Sequence, residues 1–105
     1  MTLKEKRFDA VAFGELLIDF TQNGVSDSGN LLMEANPGGA PCNVLAMLCK
    51  FGKKTAFIGK VGDDMFGKIL KETLAKLNIN SENLIIDKDF PTTLAFIRTL
   101  PGGER

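Results

Sequence analysis

A chain of 105 residues is long enough for one small domain with a single core. Thirteen basic and thirteen acidic residues cancel and no basic stripe appears, which argues against nucleic acid or an anionic membrane as principal partner. Hydrophobic content of 44% is ordinary for a globular protein, no apolar run approaches the roughly 18 to 20 residues of a membrane span, and the charged start does not read as a signal peptide, so a cytoplasmic location is the expectation.

Phe8 to Phe13 is short and apolar, ends at Gly14 and reads as a buried strand. Leu16-Leu17-Ile18 continues apolar and stops at Asp19 and Thr21. An acid there either caps a turn or faces a cleft at the strand end, where open α/β sheets bind ligands. Gln22 to Asn30 is rich in Gly, Ser, Asn and Asp and reads as a flexible surface loop, with Leu31 to Ala35 a short strand after it.

Gly38-Gly39-Ala40-Pro41-Cys42-Asn43 lies between that strand and a helix expected over Pro41 to about Phe51. Adjacent glycines let a ligand approach the main chain. Proline in the first helical turn costs no hydrogen bond, and the free N–H groups there suit a polar or anionic ligand. Asn43 both donates and accepts, as reading a hydroxyl requires. The same six residues also read as an ordinary glycine loop feeding a helix. Val44, Leu45, Met47, Leu48 and Phe51 predict a helix buried on most of its surface, capped at its end by Gly52.

Thr55 to Val61 reads as a second core strand. Gly62-Asp63-Asp64 is a turn, with Asp64 the natural N-cap of a helix over about Met65 to Leu77. Ile69, Leu70, Thr73, Leu74 and Leu77 form its apolar stripe, and Asn78 ends it. Leu84 to Ile86 and Thr92 to Leu100 are further strands, giving the alternation of an α/β domain with a mostly parallel sheet. Pro101-Gly102-Gly103 is a turn signature with no partner strand after it, which reads as part of a larger protein with an open strand edge.

Cys42 and Cys49, two helical turns or roughly 10 Å apart, are too far apart for a disulfide. Both read first as small buried residues, and Cys42, at a helix N-terminus that lowers a thiol's pKa, as the likelier reactive one of the two. The chain has no histidine, so a zinc site has few candidate ligands and histidine acid–base chemistry is excluded. No G-x-G-x-x-G turn follows the first strand, which speaks against a dinucleotide-binding unit.

Taken together, the Gly38–Asn43 turn with Gly52 and Gly62, GELLIDF (Gly14 to Phe20), VGDDMFG (Val61 to Gly67) and PTTLAF (Pro91 to Phe96) resemble the N-terminal third of ribokinase-like (PfkB) carbohydrate kinases, with fructokinases as the subgroup. One position departs: Leu45 stands where the family pattern has a small residue. The resemblance implies an α/β fold with a small β-sheet lid, whose strands come from about residues 23–36 and 92–105. It implies transfer of the ATP γ-phosphoryl group to a sugar hydroxyl, with Mg²⁺. Asp19 then matches the acid that binds sugar hydroxyls, Gly38 and Gly39 the turn bordering the sugar, and Asn43 the polar group reading it. Phe96 matches a lid position over the sugar's apolar face, and Arg98 a weaker lid candidate. The family's Gly-Ala-Gly-Asp signature, with its catalytic base and nucleotide site, has no counterpart in these residues, so the chain is expected to hold the acceptor site and to be inactive alone. Ribose, 2-keto-3-deoxygluconate or a nucleoside are alternative substrates, and a non-catalytic sugar-binding or association module, or a homodimer through the lid, an alternative role.

Overall fold

The structure, a computed structural model, describes residues 7–98. The Pro101-Gly102-Gly103 turn and the end of the last expected strand lie outside them. Two sheets share one core. In the first, β1 (Ala10–Phe13) pairs in parallel with β4 (Thr55–Gly62), which pairs in parallel with the two-residue β5 (Ile79–Asn80) and, over Gly59–Gly62, with β6 (Leu84–Asp87). In the second, β2 (Leu17–Val25) is central, antiparallel to β3 (Leu31–Gly38) and parallel to β7 (Thr93–Ile97). Two helices, α1 (Ala40–Lys50) and α2 (Met65–Lys76), make the crossovers that parallel strands require.

Each helix begins and ends where its chemistry dictates. Gly39 is the N-cap of α1 at φ 128°, and its carbonyl accepts from the N–H groups of Cys42 and Asn43. Gly52, at φ 79°, follows the C-cap Phe51. Asp64 caps α2, its Oδ1 accepting from the Gly67 N–H at 2.8 Å, and Asn78 leaves the helix at φ 61°. The expected apolar stripe of α2 faces inward: Leu70 and Leu74 are buried, with Ile69, Thr73 and Leu77 half-buried. Fully burying a leucine side chain contributes about 1.5–3 kcal/mol. Phe57, Val61, Leu45, Leu16 and Ile18 complete the core, and Ile18 roots the second sheet in it. Leu45 is therefore a core residue, and packing absorbs the one departure from the family's turn.

Three expectations are corrected. The polar stretch after Asp19 is not loop from Gln22 on: β2 runs to Val25, because pairing with β3 at Gln22 and Val25, across a bulge between them, carries on a strand whose side chains give no strand signal. The turn proper is 26–30, where the Ser26 N–H donates to the Asn30 carbonyl and the Asn30 N–H to Ser26 Oγ. Second, α1 is not buried on most of its surface. Cys42 and Leu45 face the core, whereas Val44, Met47 and Phe51 are 61, 62 and 73% exposed. Third, burial pushes the Cys42 thiol up, with Cys49 nearby adding to it, against the direction expected of a helix N-terminus. Both cysteines are free thiols. No helix among the described residues is long and apolar enough to cross a membrane.

Candidate functional site

Asp19 lies in the interior of β2, paired in register with Asn36 of β3 and Ala95 of β7. Registered partners share a face and neighbours along a strand alternate. Leu17, Asp19 and Thr21 therefore stand on one face with Asn36, Gly38, Thr93, Ala95 and Ile97. Phe20 stands on the other face with Phe96, and the two rings stack at 5.0 Å and 12°, while Phe20 meets Phe66 of α2 edge-on.

Gly38 sits against the Asp19 side chain so closely that a Cβ there would collide with the carboxylate. Asp19 is half-buried, and among the described residues its carboxylate has no hydrogen-bond partner; Asn36 Nδ2 bonds instead to Thr21 Oγ1 at 3.1 Å and to the Asp19 main-chain carbonyl. Gly39 is packed on the preceding crossover, where a Cβ would fall 2.6 Å from the Glu15 carbonyl oxygen. Asn43 is exposed in the first turns of α1 and borders, with Gly38, Leu16 and Cys42, a small cavity of about 80 Å³.

Asp19, Gly38, Gly39 and Asn43 are thus gathered around one turn. Phe96 and Arg98 are not. Phe96 is 71% exposed on the opposite face, where it and Arg98 line a groove of about 270 Å³ with Gln22, Leu31 and Met33. The residues that share the Asp19 face on β7 are Thr93, Ala95 and Ile97. Strand alternation within PTTLAF carries this distinction, but only the pairing register says which half of the alternation meets Asp19.

A larger cleft of about 480 Å³ opens at the carboxyl ends of β1 and β4, walled by Phe13, Glu15, Lys60, Phe90 and Thr93. That is where parallel α/β sheets bind ligands. Thr93 lines this cleft and, by its register with Leu17, also stands on the Asp19 face of the second sheet. Lys60 is held at the rim by Asp87, Nζ to Oδ2 3.2 Å. Asp87 also accepts from the Asp89 N–H at 2.8 Å, and these bonds hold its carboxyl below the usual carboxylate range.

Sequence reasoning saw Asp64 only as a helix cap. Its carboxylate also accepts from the Thr92 N–H at 2.9 Å and from the Thr92 hydroxyl at 2.7 Å, and these bonds hold its pKa low. Thr92 is buried, and its Oγ1 accepts in turn from the Gly62 N–H at 2.9 Å. The partners are 28 residues apart, a distance no local spacing rule covers.

Among the described residues no group of three or more His, Cys, Asp or Glu side chains could hold a metal ion.

The family model of pfkB carbohydrate kinases matches residues 7–105. A probable fructokinase-5 of Arabidopsis thaliana is 46% identical over 97 residues, covering 90% of this chain and 30% of its own. The crystal structure of fructokinase from Xylella fastidiosa superposes at TM-score 0.82 and 31% identity, over 91% of this chain and 31% of that one. An uncharacterized sugar kinase from Pyrococcus horikoshii, solved in complex with ATP, gives TM-score 0.77 and 35% identity over 89% of this chain and 31% of that one. The chain spans about 30% of the length of the relatives it matches. With the two sheets, the glycine turn and the capped α2 all in place, the chain belongs to the pfkB family of carbohydrate kinases.

Proposed function

We propose that this chain forms the sugar-binding portion of a fructokinase-like enzyme that transfers the γ-phosphoryl group of ATP to a sugar hydroxyl, with the β3-β2-β7 sheet as lid. The observation that carries the reading is Asp19: a half-buried carboxylate, pressed against Gly38 and without a hydrogen-bond partner among the described residues. Such a carboxylate can accept from two neighbouring hydroxyls, as a sugar offers. Gly38 and Gly39 keep the turn bare enough for the sugar to approach, and Asn43 reads a hydroxyl from α1. Ala95 and Ile97, on the Asp19 face, are the apolar lid residues that meet the sugar in this arrangement, in place of Phe96. Phe96 and Arg98, exposed on the opposite face beside Phe20, fit better a lid-to-lid contact between two copies.

The nucleotide and Mg²⁺ belong, in this reading, to the two-thirds of the relatives that the chain does not match. Phosphoryl transfer depends on holding donor and acceptor together and stabilising the charge between them, so the chain alone is expected not to turn over. The cytoplasm is the proposed compartment. Isothermal titration tests the site: the chain binds fructose, and Asp19→Ala weakens binding by about tenfold or more, the scale of a hydrogen bond to a charged group. The same sample given ATP and Mg²⁺ forms no sugar phosphate. Fructose binding unaltered by Asp19→Ala would overturn the site. A full-length protein active on ribose, 2-keto-3-deoxygluconate or a nucleoside but not fructose would overturn the subgroup.

A second reading, a non-catalytic sugar-binding or association module, is favoured by the exposed apolar residues of β1, α1 and the lid.

A further inference from the structure

The lid joins the core at three crossings: 14–16 between β1 and β2, Gly39 between β3 and α1, and 88–92 between β6 and β7. The first two pass through glycine. The third is pinned at both ends. At its start Asp87 Oδ1 accepts from the N–H groups of Asp89 and Phe90 while Oδ2 meets Lys60. At its end Thr92, 3% exposed, makes three hydrogen bonds in which its hydroxyl both donates and accepts and its N–H donates. The packing around that end is as tight as the bonding. A Cβ on Gly67 would strike the Gly62 carbonyl oxygen, and one on Gly62 would fall 2.6 Å from Asp64 Oδ2. Three elements, the end of β4, the first turn of α2 and the residue before β7, thus meet at one carboxylate.

We propose that Asp64 and Thr92 are a positioning pair that anchors the root of lid strand β7, and with it the Pro91–Thr93 wall of the cleft, to the amino terminus of α2. The sugar-site reading underlies only the binding half of this proposal; the anchoring half stands on the contacts alone. A buried hydroxyl with all its bonds made costs free energy when one partner is withdrawn, and the cost falls on the segment it holds. Losing the anchor therefore frees β7 while α1, α2 and the first sheet keep their packing. The Asp64 carboxylate, whose bonds hold its pKa low, stays charged near neutral pH and so remains an acceptor to all three donors.

Two substitutions separate anchoring from capping. Asn caps a helix as well as Asp does, so Asp64→Asn keeps at Oδ1 the bonds from the Gly67 N–H and the Thr92 hydroxyl, but its Nδ2, in place of Oδ2, cannot accept from the Thr92 N–H. Thr92→Val keeps the shape and removes the hydroxyl, and Thr92→Ser restores it. Amide hydrogen exchange and fructose titration are read on the same samples. In Asp64→Asn and Thr92→Val, the amides of 94–97 are expected to exchange about tenfold faster while those of 69–74 in α2 are unchanged; fructose affinity falls in step, and Thr92→Ser behaves as wild type. Unchanged protection of 94–97 in Thr92→Val overturns the anchor, and that variant decides the matter if Asp64→Asn does not fold. Equal loosening of α2 and β7 reduces Asp64 to a cap and also overturns it. Absence of fructose binding in the wild type sinks the sugar-site reading, while the exchange pattern still decides the anchor.

Discussion

Gly38 and Gly39 are neighbours with different reasons to be glycine. At Gly38 the obstacle is the Asp19 carboxylate, a side chain with room to rotate; at Gly39 it is the Glu15 carbonyl, fixed main chain, together with a φ of 128° that only glycine adopts readily. Gly38→Ala is therefore expected to leave the fold nearly as stable as wild type and to weaken fructose binding by turning Asp19 away. Gly39→Ala is expected to lower stability by on the order of 1–3 kcal/mol. Urea denaturation beside sugar titration checks both, and an equal loss of stability in the two variants would make Gly38 a packing residue only. The turn was legible in the sequence as a ligand-approach motif. That its first glycine exists for the sake of Asp19, nineteen positions earlier, was not, because a strand pairing brings the two together.

At the scale of elements, the α2 cap was legible in Gly62-Asp63-Asp64 and the stripe Leu70–Leu74 in its spacing. The second duty of Asp64 was not. Its pKa and that of Asp87 are both depressed by hydrogen bonds made only in the fold. A group whose folded pKa lies below its unfolded one stabilises the fold above the unfolded value, about 3.9 for Asp, and that stability is lost as pH falls through the folded value. The melting temperature is thus expected to hold from neutral pH to about pH 5 and to drop below about pH 4. Asp64→Asn should flatten part of that drop, and an unaltered acid profile in that variant would remove Asp64 from the account. The long strand β2 escaped sequence reading for a related reason. Gln22, Asn23 and Gly24 have little strand propensity, and it is pairing with β3 at Gln22 and Val25, on either side of a bulge, that carries the strand through them.

Over the whole molecule, one helix layer covers one side of the β1-β4-β6 sheet. Parallel sheets are normally covered on both faces, yet Phe13 on β1 is 81% exposed, and the outer stripe of α1 is bare as well. With a net charge of zero there is little repulsion to keep such surfaces apart. Concentration-dependent association is expected by light scattering, and Phe13→Glu with Met47→Glu should return the chain toward monomer. A wild-type chain that is monomeric at high concentration would show that these faces do not drive association. If the charged variants leave association intact, the lid groove around Phe96 becomes the contact to test.

The two helices and the core strands around them, the glycine turn, the Asp64 cap and the kinship with carbohydrate kinases are all written in local patterns: periodicity, capping residues and motif spacing. These are properties of residues a few positions apart, and they survive without a three-dimensional frame. Which side chains share a face is different. One residue of register moves every side chain of a strand to the other side of its sheet. So the pairing of β2 with β7 is what sets Ala95 and Ile97 beside Asp19 and turns Phe96 away. Likewise, burial in the assembled core, and not position at a helix N-terminus, sets the direction of the Cys42 thiol.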